Sequence, residues 1–163
     1  MAGFATKTFS KHDDYMTPAS AWEAIRQYIP TDKVIWEAFY GDGTSGQNLR
    51  EMGLNVYHED EDFFQNNRGD IVVSNPPFTM KKQVIQRLVE LDKPFVLLMP
   101  VATMATSYVR ELLKDNLQII VPRRRIQFHK LVDGEIQTEN KCNFDCYYFC
   151  YKMNLPTGIV FLQ

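Results

Sequence analysis

A chain of 163 residues with 45% hydrophobic content is long enough for one buried core and too apolar for a disordered segment, so a single domain over 1–163 is expected. The formal net charge of −2 and pI near 5.9 argue against a general nucleic-acid binder. No apolar run approaches the ~18 residues of a membrane helix, residues 1–12 read as a flexible segment without the apolar stretch of a signal peptide, and three cysteines suit a reducing, cytoplasmic location rather than secretion.

In chain order, "TPASAWEAIRQYI" predicts a helix over 18–29, with Thr17 as N-cap, Pro18 at its first position, and Trp22, Ile25 and Ile29 at helical spacing. "KVIWEAF" reads as a buried strand, and "TSGQNLREMG" as a short helix closed by Gly53. "LNVYHED" and "DIVVSN" follow as strands. "TMKKQVIQRLVELD" is amphipathic through Val84, Ile85, Leu88 and Leu91. "PFVLLMP" is a fully apolar strand, "TSYVRELLKDN" a helix and "LQIIV" a strand. "RRRIQFHKLVDGEIQTE" reads as a strand with an exposed turn at Asp133-Gly134, and "NFDCYYFCYKM" as an aromatic strand.

Apolar strands alternating with amphipathic helices predict an α/β fold, a mostly parallel sheet with helices on both faces. Ligands bind such sheets beyond the carboxyl ends of the strands. Three segments fall there: "EAFYGDGTSG", "HEDEDFF" and "NPPF". In the first, Gly41, Gly43 and Gly46 let backbone approach a ligand, yet neither a phosphate-loop lysine nor the dinucleotide spacing is present. Glu37 at its start repels a pyrophosphate and attracts an ammonium or sulfonium, which favours S-adenosylmethionine over a nucleotide. In the second, Asp60, with Glu59 close behind, is placed to hold ribose hydroxyls. Asp62 is placed to accept from an adenine amino group, with Phe63 walling the ring.

Together these segments resemble the class I S-adenosylmethionine-dependent methyltransferases, specifically the amino-methyltransferases of nucleobases, and within them the small phage- and virus-type adenine-N6 methylases. "EAFYGDG" is similar to the family's Asp/Glu-Pro-Phe-Ala-Gly-x-Gly loop, which brings in Phe39; Ala38 and Tyr40 depart from it. "NPPF" matches the family's Asn/Asp/Ser-Pro-Pro-aromatic motif in full. "DDYMTP" resembles the segment that closes over the methionine end of the cofactor, here Tyr15, Met16, Thr17 and Pro18. The resemblance covers about residues 12–150 and implies a Rossmann-like fold. With so few residues between Asp62 and Asp70, the usual third strand and its helix have no room, so one sheet edge is expected to be trimmed.

The resemblance also implies chemistry. The Asn75 amide oxygen and the Pro76 carbonyl would each accept one hydrogen of an exocyclic amine, Pro76 and Pro77 would fix the backbone, and Phe78 would stack on the base. The expected activity is methyl transfer to adenine N6 in nucleic acid, DNA before RNA. RNA adenine-N6 or guanine-N2 methylation, protein glutamine methylation and a non-catalytic nucleic-acid-binding subunit stand as alternatives. No target-recognition domain is evident, so a homodimer or partner subunit is a candidate source of specificity.

Residues 1–75 hold 6 Lys/Arg against 12 Asp/Glu, and residues 76–163 hold 12 against 8. The basic half suits a polyanion: Lys81 and Lys82 follow the NPPF loop, and Arg123 to Arg125 form a basic run. In the resembling family "RIQF" lies near substrate, which points to Arg125, with Arg124 beside it. Cys142, Cys146 and Cys150 are not expected to bind metal, because on a strand the outer two stand about 26 Å apart. His12, His58 and His129 show no paired spacing and receive no catalytic role.

Overall fold

A computed structural model describes residues 15–132, 135–137 and 144–163. Segment 1–12, the Asp133-Gly134 turn, His12 and Cys142 lie outside the described residues. The elements are β1 (Tyr15–Met16), α1 (Ala19–Glu23), β2 (Val34–Trp36), α2 (Thr44–Glu51), β3 (Asn55–Tyr57), β4 (Ile71–Ser74), α3 (Lys81–Glu90), β5 (Phe95–Pro100), α4 (Ser107–Leu113), β6 (Leu117–Val121), β7 (His129–Val132), β8 (Glu135–Gln137), β9 (Cys146–Tyr151) and β10 (Ile159–Phe161). Seven strands form the main sheet in the order β10-β6-β9-β5-β4-β2-β3, and β1, β7 and β8 form a small antiparallel sheet. Every pairing in the main sheet is parallel except the two made by β9, which runs antiparallel between β5 and β6.

The two-residue period of the strands divides the core. Ile35, Ile71, Val73, Val96, Leu98, Cys146, Tyr148 and Cys150 face one way, where Trp22 of α1 and Leu49 of α2 cover them. Trp36, Val72, Phe95, Leu97, Met99, Phe149 and Tyr151 face the other way, under Val84, Ile85 and Leu88 of α3 and Val109 and Leu113 of α4. The Tyr148 hydroxyl donates to the Ala21 carbonyl and ties α1 to the sheet. Burial pushes the Cys150 thiol up to about 12, so it packs as an unreactive apolar group.

The expected α/β sheet with helices on both faces is present, and so is the trimmed edge. β3 ends the sheet, β4 pairs directly with β2, and the chain between β3 and β4 holds only a 3-10 turn at Phe63–Gln65. The first helix differs from expectation. It stops at Glu23 and resumes as a 3-10 turn at Arg26–Tyr28, because Pro30 holds Ile29 in extended backbone and the preceding turn tightens. Thr17 does not cap it: Pro18 occupies the cap position without a side-chain bond, and Thr17 is buried against the cleft described below. β10 was not anticipated.

Candidate active site

β2, β3 and β4 are adjacent and parallel, so the glycine turn, the acidic segment and NPPF open at one rim of the sheet. A cleft at that rim is lined by Tyr15, Met16, Thr17, Glu37, Phe39, Tyr40, Gly41, Asp42, Thr44, Ser45 and Asn75 to Phe78. Eight of the eleven residues assigned above to the cofactor, and all four of the catalytic motif, either line it or adjoin it; Pro18 adjoins it through Thr17. It is a narrow space between the β2 and β4 loops, covered by the chain entering from β1.

Glu37 forms the floor. Its carboxylate is buried beyond the last residue of β2. Oε1 accepts from the Phe39 amide at 3.0 Å and from the Ser74 hydroxyl, and Oε2 accepts from the Ser45 hydroxyl at 2.8 Å. Ser45 in turn accepts from the Trp22 indole N–H at 2.8 Å. Burial pushes the Glu37 carboxyl up to about 7, against the pull of these three hydrogen bonds. A carboxylate has about four acceptor positions, so roughly one remains for a donor arriving through the cleft.

The glycine turn wraps this carboxylate. Gly41 and Gly43 have φ of 61° and 89°, which an L side chain adopts only with strain. The Gly43 amide donates to the Tyr40 carbonyl at 2.9 Å, and the Thr44 amide donates to Asp42 Oδ1 at 2.9 Å, fixing the entry into α2. Gly46 serves another purpose than the one expected of it. A Cβ there would lie 1.9 Å from Nδ1 of His58, so its close approach is to that ring and not to a ligand. The His58 ring stacks on Tyr40, centroids 4.6 Å apart, and burial holds its pKa below the ordinary value. Its Nε2 is buried and has no partner among the described residues. Tyr40 is thus a wall residue of the cleft and His58 backs it from behind, a pairing that spacing alone did not single out. The signal was available in Gly46, the third glycine of the turn.

On the other wall, Asn75 follows β4. Its Nδ2 donates to the Tyr15 carbonyl at 3.4 Å, whereas its Oδ1 is buried and unpartnered among the described residues. An unpaired buried acceptor costs about 1–3 kcal/mol. Pro76 and Pro77 are buried, and Pro77 leads into a 3-10 turn at Phe78–Met80. The Phe78 ring lies nearly parallel to Tyr15, centroids 6.4 Å apart, with Phe144 edge-on at 5.7 Å and Phe128 stacked behind Phe144. Tyr15 therefore sits with the NPPF aromatic, and Phe128, the last residue of "RIQF", and Phe144, read above only as a strand residue, complete the cluster.

The acidic segment does not join them. Phe63 is fully buried between Trp36, Phe39 and Phe64, so it is a core residue and not a wall for a ring in the cleft. The Asp62 carboxylate accepts from the Phe64 amide at 2.9 Å and caps its own turn. Glu59 and Asp60 are exposed at the end of β3 and do not line the cleft.

Of the basic candidates, Lys81 donates to the buried Thr103 hydroxyl at 3.1 Å, and Lys82 is exposed. Arg125 makes a two-pronged pair with Asp145, both bonds 3.0 Å, on the surface. Arg123 and Arg124 are exposed. Among the described residues no cluster of His, Cys, Asp or Glu suits a metal ion, and no helix is long and apolar enough to cross a membrane.

No family model matches the sequence, and no curated protein matches it. Solved structures do. A putative class I S-adenosylmethionine-dependent methyltransferase from Listeria monocytogenes superposes with a TM-score of 0.50 at 13% identity, over 95% of this chain and 67% of that one. The tRNA methyltransferase TrmI from Aquifex aeolicus gives 0.43 at 15% identity, over 88% and 72% of the two chains. A precorrin-6y C5,15-methyltransferase from Geobacter metallireducens gives 0.44 at 17% identity, over 93% and 98%. The fold is the Rossmann-like fold of class I methyltransferases.

Proposed function

We propose that the protein transfers a methyl group from S-adenosylmethionine to the N6 amino group of adenine in nucleic acid, with DNA the favoured polymer. The observation that carries this reading is the Oδ1 of Asn75, buried and without a partner among the described residues, in the wall of a cleft floored by Glu37. An acceptor left open there can take a donor arriving through the cleft, and an amino hydrogen is such a donor.

The residues of the cleft fit the cofactor. Glu37 retains about one acceptor position that would take the ammonium, the Gly41 backbone would border the methionine portion, and Asp60, exposed at the end of β3 outside the cleft, is the candidate for the ribose. When bound, the cofactor supplies an activated methyl group on sulfur. This chain's residues orient the acceptor. Asn75 Oδ1 and the Pro76 carbonyl each take one amino hydrogen, which turns the nitrogen lone pair towards the methyl donor. The prolines keep that carbonyl aimed, and Phe78 stacks on the base, worth about 1–3 kcal/mol. Alignment does most of the work, and the departing proton passes to solvent without a strong base. In a duplex the base would have to leave the stack.

Methyl transfer from labelled cofactor, with nucleosides identified by mass spectrometry, tests the reading. N6-methyladenine is expected with the parent protein. Asn75→Ala should abolish it while cofactor affinity by titration calorimetry stays within about threefold. Loss of cofactor binding in that variant would remove Asn75 from the base site.

A further inference from the structure

A second groove opens at the same rim, away from the cleft. It lies between α1 with its following turn, the segment after β6, and the end of β10. Its walls include Tyr28, Arg123, Arg124, His129 and Phe161. β6 and β10 run parallel to β4, so their carboxyl ends point the same way as Asn75. The path from β4 to β6 crosses β5 and β9, three strand spacings or about 14 Å. That offset equals about four nucleotides at the stacked spacing of 3.4 Å.

We propose that this groove is the track for single-stranded polynucleotide flanking the target base. The inference rests on the reading that the target is a base in a polymer, and it adds the strandedness and the path. Charge comes first. Arg123 and Arg124 are exposed and make no ion pair or hydrogen bond with the described residues. Among the described residues no Asp or Glu side chain lines the groove. The Arg125–Asp145 pair holds the loop that carries them to the start of β9. A polyanion is therefore matched, and the same face of a second copy would bring like charge.

The aromatic groups decide strandedness. Phe161 is 67% exposed, an unusual position for a large apolar side chain, and Tyr28 is half-buried in the same groove. A duplex turns its phosphates outward and hides its base faces, so it gives these rings nothing flat to meet. A single strand offers both phosphates for the arginines and bases for the rings, the combination by which single strands are bound with little sequence preference.

Fluorescence anisotropy with one labelled adenine-containing sequence, offered as single-stranded DNA, as duplex DNA and as RNA, tests the track. The single strands should bind at least about tenfold more tightly than the duplex. Arg123→Ala with Arg124→Ala should flatten the salt dependence of single-strand binding by about 1.4 in log–log slope, at roughly 0.7 per phosphate contact. Phe161→Ala, which removes an exposed ring, should weaken binding about 5- to 150-fold. Equal affinity for duplex, or an unchanged affinity in Phe161→Ala, would overturn the track. So would a dimer that Phe161→Ala dissociates without altering polymer binding. The two readings separate cleanly: methylation of duplex without a single-strand preference would overturn the track alone. Single-strand binding through these residues without methyl transfer would overturn the methyltransferase reading alone.

Discussion

Replacing Glu37 by Gln isolates the buried carboxyl group on the cleft floor. Burial raises its pKa from an ordinary 4.5 to about 7. At about 1.4 kcal/mol per pH unit, a folded state that holds this carboxyl ionised is about 3 kcal/mol less stable than one that holds it protonated. The sign follows from proton uptake. The folded chain binds a proton that the unfolded chain has released, so this contribution is full below about pH 4.5 and is lost as pH rises through 7. Gln has the same shape but cannot ionise. It accepts from Ser74 and the Phe39 amide and donates to Ser45, whose hydroxyl must then turn, which adds a cost independent of pH. The quantity to compare is therefore a difference of differences. Urea denaturation of both proteins at pH 5 and pH 8.5 should show the parent losing about 2.5 kcal/mol more than the variant across that span. His58, whose depressed pKa contributes stability of the opposite pH trend, is common to both proteins and cancels. A parent–variant gap that stays constant between the two pH values would refute the reasoning.

Three further outcomes are expected. Gly46→Ala forces a methyl group against His58 and should destabilise the fold by about 1–3 kcal/mol in urea melts; adding His58→Ala should return part of that loss, because the clash is with that ring. Asp60→Ala, at an exposed position, should leave stability unchanged and raise the cofactor dissociation constant in calorimetry, and an unchanged constant would move the ribose contact off Asp60. Arg125→Ala breaks a solvent-exposed ion pair and should cost less than about 1 kcal/mol in thermal denaturation, since such pairs are weak and screened.

The sheet was legible because its strands are buried on both faces and so read as unbroken apolar runs, "DIVVSN" and "PFVLLMP" above all. The loops that matter were legible because they follow those strands directly: Glu37, Gly41 and Asn75 to Phe78 do meet in one cleft, and Gly43 adjoins it. What was hidden is how local bonding spends a side chain. Asp62 and Asp60 look alike in "HEDEDFF", yet one caps a turn and the other faces water. Phe63 has the composition of a ring wall and the environment of a core residue. His58 needs Gly46, twelve positions earlier, to make room for it, and spacing rules for histidine do not see a glycine across an element boundary. β10 escaped notice because two of its three residues are exposed, so it lacks the apolar run that marked the other strands.

The place of β9 bears on how the chain reaches this fold. Its partners β5 and β6 are synthesised earlier, and β9 enters between them from about fifty and thirty residues downstream. Until it arrives, the facing edges of two apolar strands stand unpaired, a template for pairing with other chains. Vectorial folding on the ribosome therefore cannot close the sheet from the N-terminus, and the long loops that must be closed make the insertion of β9 a slow step. Nascent chains stalled before Cys146 should accordingly be aggregation-prone, with chaperone demand falling once Tyr151 has cleared the exit tunnel.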